Sequence, residues 1–209
     1  MQRLITFGCS FTQGQYLETD DPGSNCYSRL AWPFQLADKL KLECHNQGVN
    51  GSSAKKIWHK IVNFNFKKDD LVIILWTHKD RWCILKDDKN TIDFFPSYIE
   101  KRELTRTFYS QFYDEYDITE TYSLFVDHAN RFIKGKGLKV YNLDSNLSPM
   151  ALKYTDIEFL KTDINEIRRR HPKALDNSHP GKEAHLEFAN QVYNEIKDDI
   201  QENYQGRIC

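Results

Sequence analysis

Arg3-Leu4-Ile5-Thr6-Phe7-Gly8-Cys9-Ser10-Phe11-Thr12 opens as a strand and closes on a turn that carries a serine. Leu4, Ile5 and Phe7 supply a short apolar run over residues 3–8, and the chain then bends toward a loop. In an open parallel sheet, functional groups gather at the carboxyl ends of the strands. Ser10 stands at such an end. Taken alone, Gly8-Cys9-Ser10 also reads as an ordinary turn with a capping serine, so its meaning depends on the rest of the chain.

Working outward, helical and strand-like patterns alternate. Residues 32–42 place Phe34, Leu36, Ala37, Leu40 and Leu42 at amphipathic spacing, with Pro33 in the first turn of a helix. Residues 43–46 read as a short second strand. Ser52 or Ser53 caps a helix through Phe64 that turns Ile57, Trp58, Ile61 and Val62 inward. Leu71-Val72-Ile73-Ile74-Leu75-Trp76 is continuously apolar, the pattern of a central strand buried on both faces. Gly135 and Gly137 announce a fourth strand over residues 138–143, and residues 180–200 read as a final helix. Strands alternating with helices predict a parallel sheet covered on both faces, a three-layer α/β/α domain.

Near the other end of the chain, Asp176-Asn177-Ser178-His179-Pro180 precedes that final helix. A serine hydroxyl attacks poorly at neutral pH unless a base takes its proton. Imidazole suits that task because its pKa lies close to working pH. An acid three residues before the histidine can orient the ring from within one loop. Ser10, His179 and Asp176 therefore form a candidate nucleophile, base and orienting acid.

These blocks resemble the SGNH (GDSL-like) hydrolase family. Gly8-Cys9-Ser10 stands where that family has Gly-Asp-Ser, with cysteine in place of the aspartate. Asn46-Gln47-Gly48-Val49-Asn50-Gly51 is similar to its second block, with Gly51 the best match. Asp176 and His179 match its closing Asp-x-x-His. The third block departs from the pattern: Trp76-Thr77-His78-Lys79 stands where the family has Gly-x-Asn-Asp. His78 is the nearest match to the asparagine that binds the oxyanion, and Thr77 is the other candidate. The resemblance implies a flavodoxin-like, mostly parallel α/β/α fold and an esterase with the triad Ser10, His179 and Asp176. Backbone N–H groups of Ser10 and Gly51 would hold the oxyanion, with His78 or Thr77 as a further donor. It also implies that no cofactor is needed. The substrate class it implies is an ester, with a small acyl group such as acetyl on a carbohydrate. A catalytically weak relative that binds a glycan or a protein, and an O-acyltransferase, are the competing readings.

The 209 residues suit one domain with a sizeable core, carrying a long aromatic-rich insertion at about 79–136. Within it, residues 87–96 are polar and turn-rich, whereas residues 105–133 read as one or two helices. Its aromatic residues serve either the core or a wall that selects substrate. Asp80-Arg81 reads either as a clamp for an anionic substrate or as a structural ion pair. A net charge of −1 with interspersed signs argues against a large nucleic-acid footprint. Arg168-Arg169-Arg170 reads as the solvated end of a helix. No stretch is long and apolar enough to span a bilayer. Five widely spaced cysteines without a C-x-x-C pair suit reduced thiols, with Cys9 a buried packing residue. With no apolar leader after Met1, the expected location is cytoplasmic, with virion association or release by lysis left open. The histidines form no metal-ligand pattern, and the sequence leaves the oligomeric state unread.

Overall fold

The computed structural model describes residues 2–19, 27–87, 90–145 and 157–204. Cys26 and Cys209 lie outside them. Along the chain run β1 (Arg3–Phe7), the one-turn helix α1 (Ser10–Gln13), α2 (Trp32–Leu40), β2 (Glu43–Asn46) and α3 (Ala54–Val62). There follow β3 (Leu71–Trp76), β4 (Trp82–Leu85), β5 (Thr91–Phe94), a 3-10 turn at Pro96–Tyr98, α4 (Glu103–Gln111) and α5 (Glu115–Gly135). The chain closes with β6 (Lys139–Asp144), α6 (Ile164–Arg170) and α7 (Lys182–Tyr204).

β2, β1, β3 and β6 lie side by side in that order, and every pairing is parallel. A lone parallel bridge from Asn142 to Phe159 extends the outer edge of β6. Period-two alternation divides the apolar side chains between two cores. Leu71, Ile73 and Leu75 of β3 join Leu4 in the core beneath α2, α6 and α7. Val72, Ile74 and Trp76 join Ile5 and Phe7 in the core beneath α3 and α5. All six residues of β3 are fully buried, which is why its sequence carries no polar position. The fold is α/β with a mostly parallel central sheet and helices on both faces.

At the amino-terminal edge of the sheet, Arg3 closes a buried, bidentate pair with Asp70, at 2.8 and 2.6 Å. Asp70 also accepts from the Lys67 N–H at 2.7 Å, so its lone pairs are satisfied where water cannot reach. This end is closed by polar satisfaction. The opposite end, where β1 and β3 stop, is open.

The segment after β3 differs in part from its sequence reading. β4 and β5 pair antiparallel as a separate hairpin, Trp82 opposite Phe94 and Leu85 opposite Thr91, so that β5 falls inside the polar, turn-rich stretch 87–96 and β4 just before it. The helical half resolves into two helices. Asp114 ends the ambiguity by accepting from the N–H groups of Tyr116 and Asp117 as the N-cap of α5. Ser53, not Ser52, caps α3 by accepting from Lys56 N–H at 3.2 Å. That helix stops at Val62, two residues earlier than its apolar pattern suggests.

Candidate active site

Ser10 is the first residue of α1, immediately after β1 and the Gly8-Cys9 turn. One turn of helix cannot stabilise itself, so its neighbours hold it. Asn46, the last residue of β2, donates from Nδ2 to the Thr12 carbonyl at 2.6 Å and accepts from Gly48 N–H at 2.9 Å. Gly48 lies so close beneath α1 that a Cβ there would stand 2.5 Å from the Gln13 backbone nitrogen. Only glycine fits. Val49 N–H donates to the Gly8 carbonyl at 3.0 Å and ties the second block to the nucleophile turn.

His179 reaches Ser10 across the whole length of the sequence. Its Nε2 lies 2.9 Å from Ser10 Oγ, and its Nδ1 lies 2.6 Å from Asp176 Oδ2. With Nδ1–H donating to the carboxylate, Nε2 is the acceptor that faces the hydroxyl. Asp176 Oδ1 accepts from the backbone N–H groups of Ser178 and His179, each at 3.0 Å. Burial raises the Asp176 pKa, but these donors outweigh it and hold the carboxyl below its ordinary value. Burial also disfavours imidazolium at His179. With the charges of Arg81 and Arg168, it holds the His179 pKa below 6.5 against the pull of Asp176. The base is therefore neutral at neutral pH.

The imidazole is also packed in place. Phe11 meets it edge-on at 5.6 Å between ring centroids, and Tyr16 lies at 5.0 Å. Ala174 N–H donates to the His179 carbonyl at 3.0 Å, and Leu175 N–H to the Tyr16 carbonyl at 3.1 Å. The sequence reads Arg168, together with Arg169 and Arg170, as a solvated helix end. Instead it turns back to donate to the Ser178 carbonyl at 2.6 Å, while Arg169 and Arg170 are exposed and Arg170 pairs with Glu187 at 3.0 Å.

Ser10, Gly51, His78 and His179 share the wall of one cleft of ≈ 950 Å³. Gly51 adopts φ +67, and a Cβ there would press on the Phe95 ring at 2.9 Å. Among the described residues, neither the Ser10 nor the Gly51 N–H has an acceptor, so two amide donors are left beside the nucleophile. The His78 imidazole also has no hydrogen-bond partner among them. Burial and the neighbouring Arg81 hold its pKa below 6.5, so it faces the cleft as a neutral ring. Thr77, the other candidate donor, is fully buried and does not line the cleft. β3 ends at Trp76, and it is His78, whose carbonyl accepts from Arg81 N–H at 3.1 Å, that lines the cleft. Cys9, at 2% exposure, is buried beside the serine.

Sequence reasoning missed the supports. Asn46 was part of the second block but read only for its glycines, and Tyr16 and Arg168 carry no motif. The far wall of the cleft is built by the β4–β5 hairpin and the turn after it, within the aromatic segment that the sequence offers as either core or substrate wall. Phe95 and Tyr98 line the cleft, whereas Phe94 stacks on Phe108 at 4.6 Å and Trp82 packs toward Phe125. The aromatic segment thus serves both packing and cleft wall.

No family profile and no curated protein matches this chain by sequence. Solved structures do match it by fold. A native aryl esterase from M. smegmatis aligns with a TM-score of 0.58 at 13% identity, over 95% of this chain and 99% of its own. A member of the lipolytic protein G-D-S-L family from Veillonella parvula aligns with a TM-score of 0.51 at 11% identity, over 94% and 99%. An acetylxylan esterase from Geobacillus stearothermophilus, solved as a catalytic mutant, aligns with a TM-score of 0.53 at 15% identity, over 93% of both chains. At these identities the likeness is one of fold. The chain has the SGNH (GDSL-like) hydrolase fold.

Proposed function

We propose that this chain is a serine esterase that removes a small acyl group, such as acetyl, from a carbohydrate ester. The observation that carries the reading is the continuous line of hydrogen bonds from Asp176 through His179 to Ser10, opening on a cleft beside two unpaired amide donors. A line this complete argues against a catalytically silent relative, which has no reason to keep all three groups aligned.

The chemistry follows from the geometry. Ser10 Oγ attacks the ester carbonyl carbon as its proton passes to His179 Nε2, and the carbonyl oxygen becomes an oxyanion. The Ser10 and Gly51 N–H groups stabilise that charge, and His78 supplies a third donor. As the carbon–oxygen bond to the alcohol breaks, His179 returns the proton to the departing oxygen, leaving the acyl group on Ser10. Water then attacks the acyl carbon and gives a proton to His179. Collapse releases the carboxylic acid and restores the Ser10 hydroxyl. Asp176 stays ionised throughout and stabilises the imidazolium that forms twice per cycle.

The substrate class rests on the polar cleft and on the fold's company, which includes proteins described as acetylxylan esterases. A fluorophosphonate probe tests the mechanism directly. It should label Ser10, and Ser10→Ala should lose the label while keeping its melting temperature. Labelling elsewhere, or none on a folded protein, would reject the esterase.

A further inference from the structure

Beyond the reacting groups, the cleft wall carries four charged side chains: Asp80, Arg81, Asp93 and Arg102. The two acids are each paired with a lysine. Asp80 Oδ1 accepts from Lys79 Nζ at 2.7 Å and from Tyr113 Oη at 2.8 Å. Asp93 Oδ2 accepts from Thr91 Oγ1 at 3.1 Å and faces Lys56 Nζ at 3.4 Å, while its buried Oδ1 has no partner among the described residues. The two arginines differ. No carboxylate or carbonyl accepts from either guanidinium among the described residues.

Instead, each guanidinium is held against an aromatic ring of the same wall. Arg81 Cζ lies 5.7 Å from the Phe95 centroid, and Arg102 Cζ lies 4.5 Å from that of Tyr98. An arginine placed this way keeps its N–H fork for another acceptor, and that fork matches a carboxylate or a phosphate in a way lysine does not. The neighbour in sequence would be the obvious partner for Arg81. The structure sends Asp80 to Lys79 and Tyr113 and leaves Arg81 half-buried in the cleft, without a counterion among the described residues. Its charge is felt at both His78 and His179, which places it near the reacting atoms. The uncompensated charge of this wall is therefore positive.

We propose that Arg81, backed by Arg102, selects esters that carry a second, anionic group, a carboxylate or a phosphate, in the same molecule as the ester bond. The proposal rests on the esterase reading for its chemistry, but the anion site it names is measurable without turnover. A sugar acid or a sugar phosphate bearing an acyl group has this form. A neutral acetylated sugar would leave Arg81 desolvated against Phe95 with nothing to accept from it.

Titration calorimetry on the full chain, at low ionic strength, with galacturonate, galactose 6-phosphate and galactose reads the site directly. At least one of the two anions should bind about tenfold or more tightly than galactose, and added salt should narrow the difference. Which anion wins separates a carboxylate from a phosphate substrate. Arg81→Gln should bring the ratio near one. Arg81→Lys should keep part of it, and Arg102→Gln should lower it less. The ratio between charged and uncharged sugar guards against a variant that is merely less stable. The same anions should compete with 4-nitrophenyl acetate. A ratio near one in the unaltered protein, no binding by any of the three sugars, or a ratio unchanged in Arg81→Gln overturns the proposal. A protein that binds the anions yet neither cleaves 4-nitrophenyl acetate nor takes the fluorophosphonate label would overturn the esterase reading alone.

Discussion

His179 is the residue on which the chemistry turns, and its environment sets the pH at which the chain works. Burial first, then Arg81 and Arg168, push its pKa down, while Asp176 pulls it back toward the ordinary value. Attack needs the neutral ring, so kcat/KM for 4-nitrophenyl acetate should rise with pH through an inflection below 6.5 and stay level above it. In Arg81→Gln one positive neighbour is gone, so the inflection should move up. An inflection above 6.5 in the unaltered protein would contradict the arrangement. His78 invites a sharper test, because it lines the cleft beside Ser10 and has no partner among the described residues. If it donates to the oxyanion, His78→Ala should lower kcat roughly a hundredfold with little change in KM, since the contact strengthens only in the transition state. His78→Asn should retain most of the activity. Equal kcat for the unaltered protein and His78→Ala would leave the oxyanion to the two backbone donors.

Among the elements, β1 and β3 are legible in the sequence nearly to the residue, because their apolar runs admit one assignment in a sheet covered on both faces, and β2 follows from its place between two helical patterns. Ser10, Asp176 and His179 are legible as candidates because reactive residue types at strand ends and before helices are conspicuous. The β4–β5 hairpin is not, because Trp82–Leu85 and Thr91–Phe94 are only four residues each, too short for a run or an alternation to stand out from the polar stretch around them. Its pairing becomes clear only from what it rests on. Ser53 Oγ lies 3.1 Å from Cys83 Sγ, and Lys55 lies over Trp82, so α3 is its foundation. The bracing of α1 is hidden for a different reason. Asn46 acts through a backbone carbonyl of Thr12, far off in sequence, and a contact to backbone leaves no signature in the partner's residue type. Asn46→Ala strands that carbonyl and the Gly48 N–H together. It should cost about 1–3 kcal/mol of stability, read from urea denaturation, and slow fluorophosphonate labelling of Ser10. Loss of stability with an unchanged labelling rate would show that α1 keeps its position without Asn46.

At the scale of the whole molecule, one buried histidine links the helical layer to pH. His185, on the inner face of α7, accepts at Nδ1 from Trp32 N–H at 3.2 Å and so joins the start of α2 to α7. It is 1% exposed, and its Nε2 finds no partner among the described residues. Burial, with a smaller push from His179, brings its pKa down to about 3 from 6.5. The sign follows from proton counting. Between those two values the unfolded chain holds a proton on His185 that the folded chain does not, so stability rises with pH. The contribution is complete above about 6.5 and is lost progressively as pH falls toward 3, with a limiting slope for one group of about 1.4 kcal/mol per pH unit. His78 and His179, also pulled down by burial, add to the same slope. A variant therefore has to isolate His185. Gln offers a neutral oxygen to Trp32 N–H and does not titrate. His185→Gln should lower stability at pH 7 modestly and flatten its decline between pH 6 and 4, measured as urea midpoints across that range. A decline as steep in His185→Gln as in the unaltered protein would mean that His185 is protonated in the folded chain, and that the α2–α7 contact does not depend on its neutral form.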